Sequence, residues 1–121
     1  MHLFLSGAEM QPERVRVSWP EARFVARGRL EPRPLGAVAA PVGARYETWG
    51  IVIETPAAPG VGEPRGAIAD DGRAFAVAVP APDDADPAAV LAAARYWELP
   101  PAYVRRLARV ANAPVEDYFY G

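Results

Sequence analysis

Cysteine is missing from this chain of 121 residues. That excludes disulfides, thiolate metal sites and a cysteine nucleophile. Lysine is missing too: all 13 basic residues are arginine. Neither a Schiff base nor a phosphate-loop lysine is therefore available. The only histidine is His2, so one chain cannot build a zinc site from several imidazoles. A Ser-His-Asp triad would have to use it with Ser6, four residues along the same strand and roughly 13 Å away at strand rise. No apolar run approaches the roughly 18 residues of a membrane span. Residues 1 to 10 have no basic n-region and no long apolar h-region, so no signal peptide is expected there. A net charge of -2 forces no strongly basic face, so nucleic acid is not favoured as a partner. The expectation is one soluble cytoplasmic domain, 1–121, with neither membrane nor nucleic acid as a partner. Ala, Arg, Pro and Gly dominate, as in a GC-rich genome, and a bacterial source is expected.

What is present is enough for a core: 51% of the residues are hydrophobic and 23% charged, the balance of a folded domain. His2 to Ser6 is an apolar run that stops at Ser6-Gly7 and reads as a buried strand entering a tight loop. Gln11 to Pro20 has Val15, Val17 and Trp19 alternating with Arg14, Arg16 and Ser18, and reads as a loop with a short strand. Ala22 to Leu30 reads as a strand with Phe24, Ala26, Gly28 and Leu30 on one face. Arg23, Val25, Arg27 and Arg29 form the other, wet face. Leu35 to Val42, bounded by prolines, is a strand or an ordered loop. Tyr46 to Thr55 is rich in β-formers, and Gly50 inside it marks a bulge or a close backbone approach.

Pro56 to Gly66 reads as a long loop. Asp70-Asp71-Gly72-Arg73 reads as a hairpin turn between strands Arg65 to Ala69 and Arg73 to Pro80. Asp86-Pro87 opens a helix, with Asp as N-cap and Pro in the first turn. Val90, Leu91, Ala94 and Trp97 form its apolar stripe. After Leu99-Pro100-Pro101 a second helix runs to Ala111, with Arg105, Arg106 and Arg109 on its wet side. Asp83, Asp84 and Asp86 are linker and cap rather than a metal cluster. Strands first and helices last argue for an α+β fold: a small, mainly antiparallel, barrel-like sheet with two C-terminal helices. The aromatic tail Tyr118, Phe119 and Tyr120 either packs on its own sheet or joins two copies into a homodimer.

Several segments, in order along the chain, resemble the γ-glutamylcyclotransferase-like family. Leu3-Phe4-Leu5-Ser6-Gly7-Ala8-Glu9-Met10 is similar to its apolar strand and Tyr-Gly-Ser-Asn-Met loop. Ala22 to Leu30 resembles its Gly-Tyr-Arg-Leu strand, and Trp49-Gly50-Ile51-Val52-Ile53 its Val-Trp-Gly-Val-Val-Tyr strand. Asp71-Gly72 resembles the hairpin turn that follows. Leu99-Pro100-Pro101-Ala102-Tyr103 resembles its Gly-Leu-Pro-Pro-Glu-Tyr start of the last helix.

The resemblance implies a cofactor-free reaction. The α-amine of a γ-glutamyl compound attacks its own γ-carbonyl and releases 5-oxoproline and an amine. It further implies that the loop Ser6, Gly7, Ala8 and Glu9 binds substrate, with backbone N–H groups of Gly7 and Ala8 on the carboxylate-bearing end. The general base it implies is Glu63, with Glu54 as second choice. Ser6 stands where the family has Tyr, and Ala8-Glu9 where it has Ser-Asn. A carboxylate at Glu9 repels a substrate carboxylate unless it points away. The alternative reading is a catalytically degenerate member that binds a small carboxylate-bearing ligand or a protein.

Overall fold

The computed structural model of the chain describes residues 1–34, 48–56, 62–80 and 86–111. The expected strand at Leu35 to Val42 and the aromatic tail lie outside these residues, as does most of the Pro56 to Gly66 loop. Five strands, β1 (His2–Leu5), β2 (Arg23–Pro34), β3 (Thr48–Glu54), β4 (Glu63–Ala69) and β5 (Ala74–Val79), close a barrel in the order β1-β3-β2-β4-β5. All pairings are antiparallel except β1 with β5, which meet in parallel at Leu3 and Ala78. A 3-10 turn (Gly7–Met10) and α1 (Pro12–Ser18) follow β1; α2 (Pro87–Tyr96) and α3 (Pro101–Val110) end the described chain.

Two apolar layers share the β1–β3 pair. Phe4 and Val52, opposite each other in the ladder, point into the barrel with Ala67 and Val77. Leu3, Leu5, Ile51 and Ile53 point outward, onto Met10 and onto Val90, Ala93, Ala94 and Leu99 of the helical layer. Strands buried on both faces need unbroken apolar runs rather than alternation, which is why Leu3-Phe4-Leu5 and Ile51-Val52-Ile53 read as they do. α3 is docked through Tyr103, whose hydroxyl bonds the Trp49 backbone and whose burial pushes its phenol above the ordinary value. The Arg106 guanidinium lies over the Tyr103 ring, 4.9 Å from its centroid.

The helices after Asp86 and Pro100 lie where the sequence predicts them, and the Asp86 carboxylate caps α2 by accepting from the Ala88 N–H at 3.3 Å. The hairpin around Asp71 also forms, the Asp71 carboxylate accepting from the N–H and Nε of Arg73 at 3.0 and 2.7 Å.

Two readings are corrected. Gln11 to Pro20 is mainly the helix α1, not loop and strand. Val15 and Trp19, four apart, pack on the core, while Val17 is 81% exposed. A helical stripe at that spacing mimics alternation when the residue between is also apolar. The faces of β2 exchange partway, because the register slips between Phe24 and Ala26. The bulge turns Val25 toward the barrel layer and Phe24 outward, where it stacks on Trp97 at 5.1 Å.

The end of α2 carries strain. Glu98 and Leu99 donate their N–H groups to the carbonyls of Arg95 and Ala94. This left-handed closure is usually made with glycine, but here Glu98 has φ 56°. The resembled motif has Gly before Leu-Pro-Pro, where this chain has Glu98. Since Glu98 is exposed, Glu98→Gly is expected to stabilise the protein by about 0.5–1 kcal/mol. The readout is a higher urea midpoint at unchanged slope; an equal or lower midpoint contradicts the assignment.

Candidate functional site

Strand directions decide which residues can meet. β1 and β5 run in parallel, so Ser6 leaves β1 at the barrel end where β5 finishes. β4 runs against β5 and begins there, with Glu63 opposite Val79. β2 finishes at the same end, with Leu30 opposite Thr48, the first residue of β3, and Pro34 opposite Arg65. The Ser6-Gly7 turn and Glu63 therefore share one mouth of the barrel. One strand, β5, lies between theirs, and the register through Leu3, Ala78 and Pro64 sets Glu63 level with Phe4, two residues short of Ser6. Glu54, opposite His2 and Arg23, is at the other mouth.

The turn is tied down from below. Ser6 is extended, Gly7 has the positive φ of 61° that favours glycine, and the 3-10 turn runs on to a fully buried Met10. The Met10 carbonyl accepts from Trp97 Nε1 at 2.6 Å, which ties the turn to the end of α2. Gly50 gives the end of β1 room: a Cβ there would strike the Leu5 carbonyl and lie 3.0 Å from the Phe4 ring. The close approach expected at Gly50 is thus present, and the bulge is in β2 instead. The first N–H groups of a helical turn have no partner within it, and a Cβ on Gly7 would meet nothing within 4 Å. Ala8 is buried, and the Glu9 carboxylate is drawn to Arg14 of α1 at 3.5 Å.

Glu63 was expected in a loop; it is the first residue of β4 and exposed. The strand starts there because Gly62, at φ 59°, bends the chain onto the Val79 carbonyl, where no Cβ fits. Residues opposite each other in an antiparallel ladder share a face. Glu63 pairs with Val79, Arg65 with Val77 and Ala67 with Phe75, and Ala67, Val77, Phe75 and Val79 all belong to the barrel layer. Glu63 and Arg65 therefore continue that inward face up to the mouth. Arg65 is half-buried, and its Nη2 donates to the Glu31 carbonyl on neighbouring β2. The sequence reading began this strand at Arg65 and left Glu63 in the preceding loop; starting it at Glu63 puts the two on one face by period-2 spacing.

Three arginines of β2 are placed away from that mouth. Arg23 pairs with Glu54. Arg27 pairs with Asp70 at 3.3 Å and donates to the Trp97 carbonyl at 3.4 Å. Arg29 lies opposite Trp49, on the outward face. A depression of about 450 Å³ between α1 and α2 is lined by Gln11, Arg14, Arg16, Ala93 and Tyr96. Another of about 380 Å³ lies beside the start of β4 and the end of β5, with Met1, His2, Gly62, Pro64 and Val77 among its lining residues. Neither includes Glu63 or the Ser6-Gly7 turn. Among the described residues no group of acids and His2 could hold a metal ion, and no helix is long and apolar enough to cross a membrane.

Among solved structures, one described as gamma-glutamyl cyclotransferase superposes with a TM-score of 0.69 at 16% identity, covering 100% of this chain and 91% of that one. An uncharacterized protein from Homo sapiens superposes with a TM-score of 0.64 at 14% identity, covering 97% and 89%. No family model matches the sequence, and no curated protein matches it. The chain thus has the γ-glutamyl cyclotransferase fold.

The Arg23 guanidinium holds the Glu54 carboxyl below the ordinary carboxylate value, by hydrogen bond first and charge second. A lowered pKa suits an ion pair better than a base. Its sign sets the pH dependence: the pairing stabilises the fold above the range of a free carboxyl and is lost as pH falls through the lowered value. A carboxyl-carbon NMR titration is expected to find Glu54 below free glutamate in the wild type. It should return upward in Arg23→Gln. Equal midpoints in the two proteins would refute the pairing.

Proposed function

We propose that the protein cyclises a γ-glutamyl amine or peptide to 5-oxoproline and releases the amine, with Glu63 as general base and the Ser6–Glu9 turn as part of the substrate site. The observation that carries the reading is the common barrel mouth of Glu63 and Gly7, in a chain with the cyclotransferase fold. A carboxylate and a row of backbone N–H groups on one side of an opening are what this reaction requires. The N–H groups of Gly7 and Ala8 hold the carboxylate-bearing end of the substrate. Glu63 takes a proton from the α-amine. The amine nitrogen bonds to the γ-carbonyl carbon and closes the five-membered lactam. The bond from that carbon to the leaving nitrogen breaks, and the proton held by Glu63 passes to that nitrogen. Holding the two ends of one molecule together removes most of the entropic cost of ring closure.

The Glu9 charge is neutralised by Arg14, so it opposes a bound carboxylate less than a free glutamate would. Glu54 lies at the other mouth and pairs with Arg23, which supports Glu63 over it as the base.

The test is the release of 5-oxoproline, by mass spectrometry, from a panel of γ-glutamyl dipeptides and amines. The wild type is expected to release it, and Glu63→Gln to lower kcat by roughly 100-fold or more, the usual contribution of a positioned base. Release unaffected by Glu63→Gln would move the base elsewhere. No release from any substrate by folded protein would refute the enzyme reading and favour a binding module on the same fold.

A further inference from the structure

We infer that the Thr48 hydroxyl donates to the γ-carbonyl oxygen of the substrate and stabilises the negative charge that forms there; this rests on the cyclotransferase reading above. Pairing across the sheet places the hydroxyl. Thr48 lies opposite Leu30, and Leu30 lies opposite Ala67. Leu30 packs on the barrel layer that includes Ala67, and residues opposite each other in an antiparallel ladder share a face. Spacing along β3 agrees. Val52 belongs to the barrel layer, and a Cβ on Gly50 would lie 3.0 Å from the ring of Phe4, another residue of that layer. Thr48 is the next residue at period two, whereas Trp49 packs outward. As the first residue of β3, Thr48 stands at the mouth shared by Glu63 and the Ser6-Gly7 turn. It is exposed there, and its hydroxyl has no partner among the described residues.

The reaction makes one demand that Glu63 and the turn do not meet. When the α-amine nitrogen bonds to the γ-carbonyl carbon, the carbonyl π electrons move onto oxygen. They return when the bond to the leaving nitrogen breaks. A donor fixed beside that oxygen lowers the barrier because it needs no reorganisation at the moment of reaction. The carboxylate is held on the β1 side and the amine on the β4 side, so the carbonyl faces the remaining wall, β3 and β2. There Leu30 is apolar, and Thr48, opposite it, carries the donor. Threonine is stiff at χ1, which keeps the hydroxyl pointed at one place. Its proton stays on Thr48 throughout, so the group contributes a hydrogen bond and no proton transfer. The resembled strand has Val-Trp-Gly where this chain has Thr48-Trp49-Gly50. The hydroxyl is thus offered from β3 in a chain whose turn has Ala8 in place of Ser.

Steady-state kinetics of 5-oxoproline release from γ-glutamylalanine by the full chain test this. Thr48→Val keeps the shape of the side chain and removes the donor. It is expected to lower kcat by roughly 10- to 100-fold, the value of a hydrogen bond to a charged oxygen. KM should change far less, because the bond strengthens only as the charge forms. Thr48→Ser, which keeps the hydroxyl, should retain most of the wild-type kcat, and circular dichroism should show both variants folded. A merely structural role would give the opposite order, since Val suits a strand better than Ser. Equal kcat in the wild type and Thr48→Val would overturn the inference and leave the cyclotransferase reading intact. So would a Thr48→Ser protein as slow as Thr48→Val, or a Thr48→Val defect confined to KM. No release by folded wild type would refute that reading, and this inference with it.

Discussion

The burial of β1 and β3 on both faces is the constraint on which the rest depends. Phe4 and Val52 fill the barrel from this pair, while Leu3, Leu5, Ile51 and Ile53 carry the helical layer on its other side. Neither layer can shift without the other, because each strand has no wet face to turn outward. Slipping the register by one residue would exchange the two sets entirely. The site inherits that rigidity. The Ser6-Gly7 turn is the direct continuation of β1, pressed onto β3 where Gly50 leaves room and held by Met10 and Trp97. On the opposite wall Gly62 fixes where β4 begins, and so where Glu63 stands.

Charge is sorted between the two mouths. At the lower one, Arg23 and Glu54 satisfy each other, and the Met1 amine donates to the Thr55 carbonyl at 2.7 Å. At the upper one, Glu63 and Arg65 rise from an apolar barrel, while Glu9 is balanced by Arg14 on the flank. An ion pair closed on itself has little left to offer a ligand.

Much of this architecture was legible in the sequence, and the gaps have physical causes. Asp86-Pro87 announces α2 because the cap and the proline act through local backbone geometry. The hairpin at Asp71 is legible for the same reason. The barrel follows from strands preceding helices, together with unbroken apolar runs at β1 and β3. α1 was missed because Val17 is apolar yet exposed, which turned a helical stripe into false alternation. The slip between Phe24 and Ala26 left no local mark, since it is decided by pairing across the sheet. In the candidate site, Ser6-Gly7 was legible as a turn, whereas Glu63, read as a loop residue, begins β4. The face of Arg65 was not legible, because it depends on β4 beginning at Gly62-Glu63, and that follows from a contact with the distant Val79 carbonyl.

The measurement that tests the account most directly is a titration of isotopically labelled protein with 5-oxoproline, followed by amide chemical shifts. The account predicts that shifts concentrate on the upper mouth, at Gly7, Ala8, Glu63 and Arg65. Shifts that concentrate instead at Arg14, Arg16 and Tyr96, in the depression between α1 and α2, would contradict it. So would an absence of shifts at saturating ligand.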